Sequence, residues 1–433
     1  MKRIIITLLL AGIPAWIAAQ EKWTLDMCIE YALEHNIELK RQANSIHARQ
    51  GELSRKKAAL LPSLNLTVGQ DWNWGRSVDM QELVIVHNKL TKATVFSASS
   101  SLDLFNGLSK NYERLAAAKA LDAARQDARR LEESLRIEVT RAYLQLMLAR
   151  QMMLYARENY STIVKQKERT GQLVEAGSQP KSSLHEMEAQ VAADRSSAVD
   201  AECAVRNAAL SLMQLMNLPY DPGFETGEAF AEDAAKERIR LITPAQIEDY
   251  ASQDPRMAGA RFRAEEKRNM LAAAKGTLLP SIRLTAGYGT YYSSSSDEKF
   301  AEQLKENRNP SLSLSLMVPV FNGLQSATAI RSSRDELKLA QLEVERVNKE
   351  IAEEIRSCVI ETENCRQKYL SSEESVLAMK SLLDITEAKY LLGATTALDY
   401  LIARNNHFKA VSEFLKAKWQ YLFQIKLLEH YRL

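Results

Sequence analysis

Glycine and proline are scarce in this chain, 15 and 10 among 433 residues, and residues 108–170 contain neither. A stretch of that length without a turn-former excludes a fold of many short strands and predicts continuous helix. Histidine is scarcer still. The six, His35, His47, His87, His185, His407 and His430, show no metal-ligand spacing, and His185-Glu186 lacks the second histidine of a zinc-binding helix. No metal, cofactor or catalytic constellation is expected, so the chain does not read as an enzyme. Cys358 and Cys365 lie seven apart on one predicted helix, about 10 Å along its axis and too far to bridge, so buried free thiols are expected. Gly287-Tyr288-Gly289 sits in a strand pattern with no helix after it, which excludes a phosphate loop.

Long apolar runs are also missing, with one exception at the start. Met1-Lys2-Arg3, the run 4–13 and the small pair Ala18-Ala19 read as a secretory signal over 1–20, cleaved after Ala19 or Gln20. A permanent membrane helix is excluded by the shortness of the run and by Pro14. Leu25-Asp26-Met27 has no small residues, so Cys28 is not read as a lipid attachment site. Without Lys2 and Arg3, 55 basic residues face 55 acidic ones, and a neutral chain gives no case for nucleic acid as a partner.

What the chain does have is a duplication. Leu60-Leu61-Pro62-Ser63-Leu64-Asn65-Leu66-Thr67-Val68-Gly69 returns as Leu278-Leu279-Pro280-Ser281-Ile282-Arg283-Leu284-Thr285-Ala286-Gly287, 218 residues on. Leu104-Phe105-Asn106-Gly107-Leu108 returns as Val320-Phe321-Asn322-Gly323-Leu324, 216 residues on. Order and spacing repeat together, which defines tandem repeats.

Between the matched blocks the sequence alternates at period two. From Ser63 to Trp74 the even positions are Leu64, Leu66, Val68, Gln70, Trp72 and Trp74, and the odd ones are small or polar. Phe96, Ala98, Ser100 and Leu102 oppose Ser97, Ser99, Ser101 and Asp103; Ile282, Leu284, Ala286 and Tyr288 oppose Ser281, Arg283, Thr285 and Gly287; Leu312, Leu314 and Leu316 oppose Ser311, Ser313 and Ser315. Each run has about the ~9 to 11 residues of a tilted membrane strand. A half-buried soluble sheet alternates too, but Trp72, Trp74, Tyr288 and Tyr292 fall where an aromatic girdle sits at a membrane interface. The linkers beyond them, 75–94 and 293–309, read as long polar loops. Four strands cannot close a barrel, and open edges cannot face lipid, so a barrel has to be shared between chains.

The rest reads as helix. Leu131, Leu135, Val139, Ala142, Leu146, Ala149 and Met153 follow the three-and-four spacing of a coiled-coil seam, in a rod on the order of 90 to 100 Å. Gly177 and Pro180 break it and a second helix returns to about residue 216. The second repeat runs from about 326 to 390, breaks at Gly393 and returns from 398, so the tips Gly177-Ser178 and Gly393-Ala394 correspond. Pro62 and Pro280 stop a rising helix and start a strand. Asn106 and Asn322 are expected to cap the descending helices, with Gly107 and Gly323 allowing the turn. The segments are therefore an N-terminal helix over 21–61, a β-hairpin over 62–105, an α-hairpin over 106–216, an equatorial linker over 217–242, a leading helix of the second repeat over 243–279, a β-hairpin over 280–321 and an α-hairpin over 322–433.

Taken together, the N-terminal helix, the Leu-Pro-Ser strand starts, the Phe-Asn-Gly strand ends, the glycine-broken tips and the duplication resemble the TolC-like outer-membrane efflux channels over essentially the whole mature chain. The resemblance implies a mainly α protein with a transmembrane β-barrel, a homotrimer of twelve strands in outer-membrane lipid continuous with an α-helical barrel in the periplasm. It also implies docking of a periplasmic adaptor protein and an inner-membrane pump at the tips. In that family aspartates ring the periplasmic aperture. Asp399 falls on the first aspartate position, Ile402 stands at the second, and Ser183 occupies the corresponding place in the first repeat. Asp399 is equally readable as a helix-capping residue. The expected function is a passive conduit for efflux or type I secretion. A periplasmic adaptor or coiled-coil scaffold is the alternative, although an adaptor would carry a single hairpin flanked by soluble β domains.

Overall fold

Pro62 and Pro280 each end a helix and open a strand, and the architecture follows from those two stops. In the computed structural model, described over residues 22–78, 85–86, 90–227 and 244–431, the first repeat runs α1 (Leu25–His35), α2 (Ile37–Ala58), β1 (Ser63–Asn73), β2 (Ser77–Val78), β3 (Ile85–Val86), β4 (Thr91–Asn106), α3 (Ser109–Glu175) and α4 (Lys181–Met216). The second runs α5 (Pro244–Gln253), α6 (Pro255–Gly276), β5 (Ser281–Ser293), α7 (Phe300–Glu306), β6 (Asn309–Met317), α8 (Gln325–Leu391) and α9 (Ala397–His430). The signal over 1–20, His87 and residues 228–242 of the linker lie outside the described residues.

Several boundaries differ from expectation. The helix expected over 21–61 is two helices, broken at Asn36, which takes an extended conformation after α1. The helix expected over 243–279 is likewise α5 and α6, broken at Asp254, whose side chain accepts from the Arg256 backbone ahead of Pro255. Asn36 and Asp254 are 218 residues apart, so the break belongs to the repeat. The two linkers read as polar loops carry the short β2–β3 ribbon and the helix α7.

The chain divides into two compact units, with boundaries between Ile37 and Glu38, inside α3, between Ile242 and Thr243, and inside α8. One draws on described residues of Glu38–Leu131 and Thr243–Ile355. It holds a four-stranded antiparallel sheet in the order β1-β4-β5-β6. Helix α2 has no buried residue, so polar side chains fasten it. Lys56 meets Glu113 at 2.6 Å and Gln42 donates to the Ala124 carbonyl at 3.0 Å. Lys119–Glu265, Arg263–Asp127 and Lys267–Glu336 tie α6 to α3 and α8 in the same way. Such half-exposed pairs contribute up to about 1 kcal/mol each and mainly fix register.

At the junctions the structure corrects the sequence. Asn106 is the last paired residue of β4, opposite Ser281, and does not cap α3. Asn322 donates to the Ser326 hydroxyl at 2.7 Å, and its carbonyl accepts from Gln325. The turn is made by two successive left-handed residues in each repeat, Gly107 (φ 64°) with Leu108 (φ 62°), and Gly323 (φ 63°) with Leu324 (φ 65°). For a leucine this conformation costs roughly 1 to 2 kcal/mol. Gly107 also lies against Gly276 at the end of α6, where a Cβ on either residue would strike the other's backbone, whereas Gly323 has open space around it. Ser109 closes the contact by donating to the Ala273 carbonyl at 2.9 Å.

The other unit draws on described residues of Met1–Ile37, Glu132–Ile242 and Arg356–Leu433. Linker residues 224–227 are strapped to the middle of α3. Trp23 bridges Thr226, Tyr143 donates to the Gly227 carbonyl at 2.6 Å, and Arg150 donates to the carbonyls of Thr226 and Phe224 at 3.0 and 3.2 Å. Burial pushes the Tyr143 hydroxyl up to about 12, which keeps it a donor. Cys28, Cys358 and Cys365 are buried free thiols. Toward the tips, Ile163, Met187, Tyr390, Ala397, Tyr400 and Leu401 pack α3, α4, α8 and α9 into one core, with the rings of Tyr390 and Tyr400 stacked at 5.3 Å. Beside it Arg404 meets Asp194 at 2.6 Å, both almost wholly buried, while Gln190 donates to the other Asp194 oxygen at 2.7 Å.

Two outcomes are expected. Gly107→Ala should destabilise the purified protein by about 1 to 3 kcal/mol more than Gly323→Ala, because overpacking is added to a backbone penalty both share; denaturant unfolding of the two variants measures the difference. Arg404→Met strands a buried carboxylate and should cost about 3 to 5 kcal/mol, of which Arg404→Met with Asp194→Leu recovers most. Equal losses in the single and double variants would contradict that account of the pair.

Candidate functional site

Register divides the sheet into two chemically opposite faces. Leu66 pairs with Ala98, Ala98 with Tyr288 and Tyr288 with Pro310, which puts the even-numbered series of all four strands on one side. That face is apolar: Leu64, Leu66, Leu312, Leu314 and Leu316 are each exposed by about two thirds or more. The other face presents Asn65, Thr67, Ser97, Ser99, Ser101, Thr285, Ser311, Ser313 and Ser315. Trp72, Tyr288 and Tyr292 share the apolar side, Trp74 follows the end of β1 with its ring largely exposed, and Tyr292 packs on Phe300 of α7 at 5.2 Å. The outer strands β1 and β6 each pair on one side only.

One polar cluster on the hydroxyl face went unread in the sequence. Asp103 accepts from Arg283 Nε at 2.7 Å and from Lys110 Nζ at 2.7 Å, where β4 carries a bulge between Asp103 and Phe105. The signal was present: Arg283 is the one charged residue in the odd series of β5.

The tips are built alike. At the first, Gly177 N–H donates to the Val174 carbonyl and Ser178 N–H to that of Leu173; at the second, Gly393 donates to Tyr390 and Ala394 to Lys389. Both glycines are left-handed, at φ 74° and 71°, so each tip is a Schellman turn. All four tip residues are exposed. Asp399 completes a capping box at the start of α9. Its backbone N–H donates to the Thr396 hydroxyl at 3.1 Å, and its Oδ2 accepts from the Thr396 hydroxyl, the Thr395 hydroxyl and the Thr396 N–H at 2.6, 2.9 and 3.3 Å. The Thr396 hydroxyl first, and then the other two donors, hold this carboxyl below the usual Asp range. The Thr-x-x-Asp pattern was legible as a capping box.

Of the residues expected at an aperture, Asp399 and Ile402 share an exposed face of α9. Ser183 departs from expectation. It is buried in the first hairpin and donates to Gln179 Oε1 at 3.3 Å, so it presents nothing to a passage. Thr170 and Tyr390, whose hydroxyls meet at 2.9 Å, link the two hairpins just behind the tips and were not singled out by sequence. Among the described residues no helix is long and apolar enough to cross a membrane, and no group of three or more His, Cys, Asp or Glu is placed to hold a metal.

This fold is a known one. The structure matches the Campylobacter jejuni CmeC outer membrane channel with a TM-score of 0.81 at 15% identity, covering 94% of this chain and 85% of that one. In sequence the chain is 22% identical to the outer membrane protein TolC of Vibrio cholerae, over 86% of this chain and 82% of that protein. It is 22% identical to the alkaline protease secretion protein AprF of Pseudomonas aeruginosa, over 84% and 75%. The model of the outer membrane efflux proteins matches residues 28–218 and 247–428, one segment in each repeat. With both repeats matched, the chain belongs to the outer membrane efflux protein family.

Proposed function

We propose that this outer-membrane channel of efflux or type I secretion works as a passive homotrimeric conduit. Three four-stranded sheets close a twelve-stranded barrel with the leucine face on lipid and the hydroxyl face on the lumen, and the helices continue the passage through the periplasm to tips that gate it. The observation that supports closure is the pair of half-paired strands β1 and β6 bounding a sheet with a leucine face. Unsatisfied backbone groups cost several kcal/mol each in hydrocarbon, so each β1 edge needs a neighbour's β6. A periplasmic adaptor docks at the Gly177-Ser178 and Gly393-Ala394 turns, and an inner-membrane pump supplies the energy that a conduit lacks. No cofactor takes part.

Face assignment and assembly share one experiment. Leu66→Arg or Leu314→Arg should cost roughly 2 to 4 kcal/mol near the bilayer midplane and reduce trimer recovered from outer membranes, while Thr67→Arg and Ser313→Arg should be tolerated. A folded monomer in mild detergent, or equal damage from both sets, would contradict the shared barrel.

At the tips, three copies of Asp399 around the threefold axis form the charged ring of the aperture, with Ile402 as an apolar constriction behind it. Asp399→Ala should lower cation selectivity and relieve block by multivalent cations in planar-bilayer recordings, and Ile402→Asp should strengthen both. Thr396→Ala separates the two roles of Asp399. It removes the cap, at about 1 kcal/mol of helix stability, and leaves the charge, so selectivity should stay with the parent. Selectivity that follows Thr396→Ala as closely as Asp399→Ala would make Asp399 a capping residue only.

A further inference from the structure

The hydroxyl face of the sheet is nearly free of charge. Across β1, β4, β5 and β6 its charged residues are Asp71 toward one end, and Asp103 with Arg283 at the end nearest the helix junctions. At that end Lys110, from the first turn of α3, joins the pair. It meets Asp103 at 2.7 Å and donates to the Ala59 carbonyl at 3.0 Å. Two cations thus share one carboxylate, leaving a net charge of +1. Asp103 is enclosed, its side chain 17% exposed, whereas the Arg283 side chain is 61% exposed. Arg283 gives Nε to Asp103, and it lines a cleft of about 360 Å³ together with Ser63, Ser101 and Lys110. A planar guanidinium fork with open nitrogens suits carboxylate and phosphate groups, which it can engage through two parallel bonds.

The duplication supplies a control. The matching positions of the other repeat are Asn65, Pro319 and Ser326; they carry no charge, yet that repeat has the same Pro-Ser strand start and the same left-handed turn, although β6 ends at Met317, before Pro319, where β4 runs on through Asp103 to Asn106. The charges are therefore not what makes the strand start or the turn. The bulge in β4 next to Asp103 is a further local departure, of the kind that re-aims side chains at barrel rims.

We propose that Arg283 and Lys110, bridged by Asp103, form a collar of net positive charge in the lumen at the periplasmic root of the barrel, a second selectivity element that attracts carboxylate- and phosphate-bearing cargo after it has passed the acidic tips. The collar rests on the trimeric conduit reading above, which repeats it three times around the passage.

Planar-bilayer recordings on the reconstituted trimer test it, with reversal potentials read in a tenfold KCl gradient whose dilute side is near 0.1 M. Arg283→Ser should raise the potassium-to-chloride permeability ratio by about twofold or more, and Asp103→Asn should lower it. Asn65→Arg, which places a guanidinium at the matching position of the neutral junction, should also lower it, and this variant decides the matter if Arg283→Ser fails to assemble. The shifts should shrink in 1 M salt, where the screening length falls from ~10 to ~3 Å. A parent protein that conducts nothing overturns the conduit and the collar together. A conducting parent whose permeability ratio is unmoved by Asn65→Arg and by any assembled Arg283→Ser trimer overturns the collar alone.

Discussion

In the conduit proposed above, backbone hydrogen bonding in a solvent that offers none is the constraint on which the rest depends. Four strands satisfy their inner ladders, and β1 and β6 are left with one unpaired side each. In water such edges are an aggregation hazard; in hydrocarbon they are untenable until a neighbouring chain fills them. The period-two sequence, with leucine on one face and serine or threonine on the other, fits the strands of such a shared barrel. A sheet with Leu64, Leu66, Leu312, Leu314 and Leu316 all exposed would be a liability in a soluble monomer.

The helical part is held by different means. Where α2 and α6 meet their neighbours, ion pairs and side-chain bonds to carbonyls predominate, and they set position more than stability. Toward the tips the helices close over aromatic rings and the buried Arg404–Asp194 pair. That pair makes the contact between the two hairpins all-or-none, since a partial separation would leave a bare charge in an apolar setting.

Much of this was legible in the sequence because it rests on periodicity and on stops. Strand faces follow from alternation, long helices from the absence of proline and glycine, and the repeat from two matched blocks. What stayed hidden depends on contacts between distant segments. Asp254-Pro255 marks a helix boundary locally, but nothing local to Asn36 does, and the 218-residue offset carries the break from one repeat to the other. Leu108 and Leu324 adopt a left-handed conformation that leucine disfavours, each following a left-handed glycine at the start of a long helix, and for Leu108 the chain has only two residues between strand and helix. Gly276 reads as an ordinary helix end until Gly107 is found against it. Ser183, matched to Asp399 by the repeat, is buried because the two tips pack different faces inward.

The Schellman turns at the tips have one further consequence. Each is closed entirely by main-chain bonds to Leu173 and Val174, or to Lys389 and Tyr390, with glycine supplying the required backbone angle. Ser178 and Ala394 stand on these turns and contribute no side chain to closing them. Mutation can therefore rewrite the exposed surface of the two turns while the fold beneath stays fixed. Two lineages with superimposable backbones can in this way come to recognise different neighbours.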